Sequence, residues 1–199
     1  MFYSLKNSEL LKIRNNIFLE YAFSSLQKNG FIKSPFLNAN FGRHNPQLYI
    51  YDMCRLTNSN LECITTYITS RDRYIKIYLN IFELSPKPEN IFELKDIDGI
   101  KFYLPPNNKK EERLDIDMLK TIPLFSYRFW FENYKLKSFH TKFGLNMAIK
   151  KLQFIIERDM KNINYFIEKW HSFHKPNITD WEGNNKKIVT ISTNYKIDY

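Results

Sequence analysis

The sequence predicts an α+β fold, in which an antiparallel β-meander of four to six strands is covered by an N-terminal helix and a C-terminal helical half packs alongside. Apolar residues repeat at helical spacing at the start of the chain and again near its end, and three β-rich runs lie between them. The chain has 199 residues, which is enough for one compact domain. We therefore expect a single domain over residues 1–199, which could divide into a sheet half, 1–104, and a helical half, 105–199.

The first helix is predicted over residues 8–28. Ser8 is a suitable N-cap, and the pair Asn29–Gly30 is a typical stop signal. Residues 34–46 are expected to form a loop, with a short strand at 40–43. The apolar residues at helical spacing are Leu10, Leu11, Ile17, Phe18, Tyr21, Ala22 and Leu26.

Three strands are predicted at residues 48–56, 61–69 and 74–84. A turn at Asn58–Ser59 places Arg55 opposite Glu62, and this opposite-charge pair supports that register. A second turn at Arg71–Asp72 gives the pairs Ile68–Ile75, Thr66–Ile77 and Ile64–Leu79.

Alternation along these strands divides the predicted sheet into two faces. The first face is mainly aliphatic, so we expect the first helix to cover it. The second face is mixed, polar and aromatic, and we expect it to be exposed and to bind a partner around Asp52, Tyr67, Lys76 and Tyr78. The first face collects Tyr49, Tyr51, Met53, Ile64, Ile68, Ile75, Ile77, Leu79 and Ile81, and the second collects Ile50, Asp52, Cys54, Cys63, Thr65, Tyr67, Tyr74, Lys76, Tyr78, Asn80 and Phe82.

The two cysteines, Cys54 and Cys63, face each other in this register. Directly opposed residues of an antiparallel pair are close enough for a disulfide. In a reducing cytoplasm two small, partly buried thiols are the expected state, with a redox bridge as the alternative.

The second half of the chain has weaker patterns. A hairpin is expected from residues 91–94 and 100–104, then a charged helix at 109–120 and an aromatic cluster at 125–134 that is either core or interface. A helical period runs from 141 to 174, as one helix or two consecutive ones, and a last strand is expected at 187–193.

Glycine-cradled nucleotide sites are excluded, because the five glycines are isolated from one another. His171 and His174, three residues apart near a helix end, could supply two metal ligands, but no third can be named. We therefore predict no metal site and no cofactor.

One acidic pattern is typical of metal-dependent nucleases. Glu93 and Lys95, on a predicted strand, match the acid-x-lysine half of such a core. Asp115 and Asp117 could add carboxylates but equally fit a solvated turn. No other catalytic motif is present, so we name no catalytic residue and favour a non-enzymatic role.

The chain carries a formal charge of +9, from 30 Lys and Arg against 21 Asp and Glu. This balance favours a polyanionic partner such as nucleic acid. However, the sequence is also rich in isoleucine and asparagine, a bias that raises the lysine content without a functional cause, and the charge is spread over both ends. No signal peptide or membrane-length apolar segment is evident, so a cytoplasmic location without membrane contact is expected.

The chain combines a first helix ending in Asn29–Gly30–Phe31, a polar loop, a meander whose last strand alternates over residues 74–82, and later helices with tryptophan. Over about the first 85 residues, this order of elements resembles that of small bacterial α+β families among the immunity proteins of polymorphic toxin systems. The resemblance implies a non-catalytic protein that neutralises a toxin by covering its active site or an exosite. Immunity proteins against nucleases are often acidic, whereas this chain is basic and would suit an acidic partner surface.

From the sequence we therefore expect a non-catalytic cytoplasmic protein that binds another protein, as a toxin-immunity protein does. The alternative is a nucleic-acid-binding or defence-related protein, such as a degenerate metal-dependent nuclease. The oligomeric state is not indicated by any pattern.

Overall fold

A mostly antiparallel sheet of seven strands forms the centre of the computed structural model, which describes residues 5–58, 60–103, 112–113, 134–136 and 141–186. Three long strands form a meander, and two short strands pair with each of its outer edges. One of them, β7, runs parallel to β5. The strands are β1 (Ile32–Lys33), β2 (Phe41–Asn45), β3 (Leu48–Thr57), β4 (Asn60–Thr69), β5 (Ile75–Leu84), β6 (Glu112–Arg113) and β7 (Asn177–Thr179). Together with the helices described below, this confirms the predicted α+β class.

Both predicted hairpin registers are confirmed. Arg55 pairs with Glu62 between β3 and β4, where its side chain also forms a 2.6 Å ion pair with the Glu62 carboxylate. Between β4 and β5, Ile68 pairs with Ile75 and Thr66 with Ile77.

The predicted first helix is a continuous helical run from Asn7 to Lys28. It consists of α1 (Asn7–Ile17), a π-helical segment (Phe18–Phe23) and α2 (Ser24–Lys28). It begins one residue before the predicted N-cap, because the Glu9 carboxylate accepts a 2.8 Å hydrogen bond from the Lys6 backbone N–H. The run ends where expected: Gly30 adopts a φ of +84°, a conformation that favours glycine.

Two helices lie between β6 and β7 in the chain, α4 (Lys142–Lys161) and α5 (Ile163–Phe173), separated at Asn162. The sequence left open whether this region holds one helix or two. Residues of both helices pack into the same apolar cluster as the aliphatic sheet face, so the N-terminal helix covers that face together with α4 and α5. The fully buried members include Phe18, Leu26, Met53, Ile64, Ile68, Ile75, Ile77, Leu79, Ile156 and Trp170.

Arg14 ties α1 to the turn between β4 and β5. Its side chain is 1% exposed, and its guanidinium donates hydrogen bonds to the carbonyls of Thr69 (3.0 Å) and Tyr74 (2.9 Å). Asp72 lies 3.7 Å away. Burial lowers the pKa of Arg14 to about 10, which still leaves it charged at neutral pH.

The hairpin predicted at 91–94 and 100–104 is wrong. Residues Ile91–Leu94 form a 3-10 turn, and Ile100–Tyr103 form the short helix α3. Side-chain hydrogen bonds at the start of each turn explain the difference. The Asn90 side-chain oxygen accepts from the Phe92 N–H at 3.0 Å, and the Asp98 carboxylate accepts from the Ile100 N–H at 3.0 Å. We call residues 34–40 and 91–103 together the cap.

The cap lies over the second sheet face and closes a second apolar cluster. Gly99 allows the two segments of the cap to approach each other closely, since a Cβ at this position would meet the Phe36 ring at 2.3 Å. The buried members of the cluster are Phe36, Cys54, Leu61, Cys63, Leu84, Leu94, Phe102 and Tyr103.

Several predictions fall on the undescribed part of the chain. The prediction of a helix at 109–120 is wrong at Glu112–Arg113, because these two residues pair with β5. The rest of that predicted helix lies outside the described residues. Asp115, Asp117 and the strand at 187–193 also lie outside them. Of the aromatic cluster at 125–134 only Tyr134 is described, and it is buried in the core, where its hydroxyl donates to the Asp159 carboxylate at 2.6 Å.

Candidate binding surfaces

Asp52, the first predicted binding residue, is buried. Its side chain is 1% exposed because residues 34–40 of the cap lie over it. One carboxylate oxygen, Oδ2, accepts a 2.7 Å hydrogen bond from the Asn40 backbone N–H, whereas Oδ1 has no hydrogen-bond partner within the described structure. Burial raises the pKa of Asp52. The expectation that the second sheet face is open at Asp52 is therefore wrong.

Cys54 and Cys63 lie beside this carboxylate as free, buried thiols. The backbone N–H and carbonyl of Asp52 bond to Asn40 and Ser34, so both point away from β4. By alternation the two cysteines form a non-hydrogen-bonded pair, in which cross-strand side chains approach most closely.

The chemistry of these thiols follows from their burial, which raises the pKa of Cys54 to about 12 and that of Cys63 well above its ordinary value. Both thiols are protonated at neutral pH. The pair therefore offers no thiolate nucleophile in this conformation and acts as part of the second apolar cluster.

Tyr67, Lys76 and Tyr78 lie together on β4 and β5, as the register predicts, and each is half-buried. The Tyr67 hydroxyl donates to the Tyr103 carbonyl of the cap at 3.2 Å, and its ring packs edge-on against Tyr78 at 5.9 Å between centroids. Lys76 forms a 2.7 Å ion pair with Asp72. These side chains are engaged within the chain, and their role in binding stays a prediction.

A surface that the sequence analysis missed lies on α4. Phe143 is 76% exposed, Met147 56% and Phe154 65%. They project from one side of the helix, because residues spaced by four, seven and eleven positions share a helical face. Phe143, Met147, Phe154 and the intervening Lys150 and Lys151 are called the α4 outer face.

The opposite side of α4 fixes this orientation. Leu145, Leu152 and Ile156 are buried against the rest of the core, and the Thr141 hydroxyl caps the helix by accepting from the Gly144 N–H at 3.0 Å. The large side chains of Phe143 and Phe154 are out of phase with this buried stripe. That phase difference is the sequence signal that could have revealed the surface.

The charge on this part of α4 is uniformly positive. Residues 142–156 contain Lys142, Lys150 and Lys151 and no acidic residue. These three lysines are exposed and make no ion pair in the described structure, whereas Lys161, further along the helix, pairs with Glu157 at 2.7 Å. A depression of about 340 Å³ lies here, and its described lining is Phe143, Asn146, Met147, Ile149, Lys150 and Gln153.

The cap also exposes apolar side chains, but on separate segments. Leu37, Phe92 and Ile100 are exposed, each on a different turn of the cap. The α4 outer face differs because its exposed residues are held on one helix.

The residues considered for catalysis or metal binding have structural roles where they are described. Glu93 lies on a 3-10 turn, not a strand, and its carboxylate accepts from the Asn90 N–H at 2.8 Å, while Lys95 is exposed beyond the turn. His171 and His174 each pack their ring against Trp170. Among the described residues no group of three or more potential ligands could hold a metal ion.

Comparison of the chain with protein-family models, curated proteins and solved structures finds no match. None of the helices in the part of the chain that the structure describes is both long and apolar enough to span a membrane.

Proposed function

We propose that this chain is a non-catalytic protein-binding protein and that the α4 outer face is its binding surface. One observation carries the proposal: three large apolar side chains, each more than half exposed, lie on one side of a helix whose other side is core. Contiguous exposed apolar surface is unfavourable in water and marks interaction sites in soluble proteins.

The residue types support a protein partner. Aromatic residues and methionine are enriched at the centres of protein interfaces, because they bury a large area on association. Because α4 is anchored by Leu145, Leu152 and Ile156, these side chains are presented on a rigid element and little ordering is needed on binding.

Neutralisation of a toxin, by covering its active site or an exosite, is the specific role that the likeness of about the first 85 residues to immunity proteins implies for a protein-binding chain. The lysines of α4 would favour an acidic region of that toxin.

The proposal is tested by photo-crosslinking in the organism that encodes the chain. A photoreactive amino acid replaces Met147, and a control carries it at Glu168, an exposed residue of α5. We expect one protein adduct from position 147 that is absent from position 168 and is lost when Phe143→Ser and Phe154→Ser are added.

Two outcomes would overturn the proposal. The first is an identical adduct pattern at both positions. The second is a nuclease-sensitive adduct at position 147, which would favour the nucleic-acid alternative. In that case binding by the purified chain should also fall steeply with salt, because phosphate contacts release counterions.

A further inference from the structure

Apolar and basic side chains follow one another in a fixed order along the α4 outer face. Phe143 and Met147 lie about 6 Å apart along the axis, and Phe154 follows about 10 Å later, at about 1.5 Å per residue. Lys150 and Lys151 occupy the interval between Met147 and Phe154. The face therefore presents an apolar pair, a cationic centre and a second apolar site over about 16 Å, or three helical turns.

The cationic centre selects the charge of the partner. Burying Lys150 and Lys151 under an uncharged apolar surface would remove their hydration without compensation. Neither lysine forms an ion pair with a carboxylate of the described residues, and both are exposed, so carboxylates of a partner could reach them. A second copy of this chain is disfavoured, because it would place the same lysines against each other on a molecule of net charge +9.

The shape of the face selects the partner's secondary structure. A helix surface offers rows of side chains and no free backbone edge, so an added strand would find no hydrogen-bonding partners here. Rows of side chains pack best into the grooves of another helix. The depression beside Met147 and Lys150 provides space for one apolar side chain of such a helix.

We infer that the partner segment is an acidic amphipathic helix that lies along α4, with apolar side chains on Phe143, Met147 and Phe154 and carboxylates over Lys150 and Lys151. This inference rests on the proposed function, because it names the class of partner for the same surface.

The test uses two synthetic helical peptides and the full chain. In both peptides leucines repeat at the spacing of Phe143, Met147 and Phe154. One peptide has glutamates at the two positions that face Lys150 and Lys151, and the other has lysines there. Binding is measured by fluorescence anisotropy, and we expect the glutamate peptide to bind at least about tenfold more tightly.

Three variants sharpen the test. The pair Lys150→Glu and Lys151→Glu should reverse the peptide preference, and the pair Phe143→Ser and Phe154→Ser should weaken both peptides. The matched control is Lys87→Glu with Lys95→Glu, two exposed lysines far from α4 in the sequence. It makes the same change in net charge and should leave the preference for the glutamate peptide intact. Thermal unfolding of each variant confirms that it is folded.

The inference is overturned if the wild-type chain binds both peptides equally or neither, or if the preference survives the Lys150 and Lys151 changes. Crosslinking at Met147 separates this failure from that of the proposed function. A specific protein adduct together with charge-independent peptide binding would retain the protein-binding function and reject only the acidic helix.

Discussion

The two faces of the sheet are both covered, the second only in part at Tyr67, Lys76 and Tyr78, and they are built in different ways. On the first face, Ile64, Ile77 and Leu79 are fully buried beneath helices. On the second face, Asp52 and Cys63 are equally buried, but beneath the short turns of the cap. Alternation along a strand therefore determines which residues share a face, whereas the covering depends on segments distant in sequence.

The energetics of the two faces should differ accordingly. Burying a large aliphatic side chain stabilises a fold by about 1.5–3 kcal/mol. A hydrogen bond formed on burial contributes a net of only about 1 kcal/mol, because the same groups bond to water in the unfolded chain. Among the described residues, the first apolar cluster has many more buried members than the second, so we expect the first face to carry most of the stability.

The largest expected effect is that of Ile77→Ala on the first face. It should lower the free energy of unfolding by about 2–5 kcal/mol, because it removes buried carbon atoms and leaves a cavity. Cys63→Ala, at an equally buried position of the second face, should cost only about 1 kcal/mol, since it removes one heavy atom. Urea unfolding of both variants gives the difference, and an equal loss would contradict the contrast between the faces.

An intermediate effect is expected for Arg14→Met, at the edge of the first face. The substitution keeps much of the side-chain volume but leaves the carbonyls of Thr69 and Tyr74 without their buried donor. A loss of about 1–3 kcal/mol in unfolding free energy is expected. Lys12→Met, at an exposed position of α1, is the matched control and should stay within about 0.5 kcal/mol of wild type.

The smallest effect concerns pH and the second face. Burial raises the pKa of Asp52 in the folded state, so folding favours its protonated form. The contribution of Asp52 to stability is therefore fully present below the unfolded pKa of 3.8 and is lost as the pH rises through the folded pKa. Because the side chain of Asp52→Asn cannot ionise, we expect this variant to gain stability relative to wild type as the pH rises.

Asp98→Asn in the cap is a control of opposite sign. A hydrogen bond from the Ile100 N–H lowers the pKa of Asp98, so its contribution is present above the unfolded pKa and is lost as the pH falls through the folded pKa. Urea unfolding over a pH series measures both variants. A pH-independent difference between Asp52→Asn and wild type would show that the buried carboxylate does not titrate as described.

The sequence was sufficient to predict the meander and its registers, because the informative pairs are close along the chain. Arg55 and Glu62 are only seven residues apart, and one turn position sets every pair between their strands. The cap could not be predicted in the same way. The apolar runs at 91–94 and 100–104 predict strands, but the side-chain hydrogen bonds of Asn90 and Asp98 favour helical turns.

The candidate binding surface shows a similar limit. Tyr67, Lys76 and Tyr78 were correctly placed together, because they follow from the register. The burial of Asp52 could not be predicted, because it depends on how the loop carrying Asn40 folds back over β3. The apolar period of α4 identifies its buried residues, such as Leu152 and Ile156, but does not by itself show that Phe143 and Phe154 are exposed.

The parallel strand β7 has a consequence for how the chain is synthesised. It pairs with β5 at Phe82–Leu84, and nearby the Trp181 indole donates to the Pro86 carbonyl, a contact between residues 95 positions apart. At about 5–20 residues per second, a ribosome needs about 5–19 s to make this stretch. During that time β7 is not yet available to pair with the last residues of β5, and an unpaired strand edge is where premature association with another nascent chain would begin.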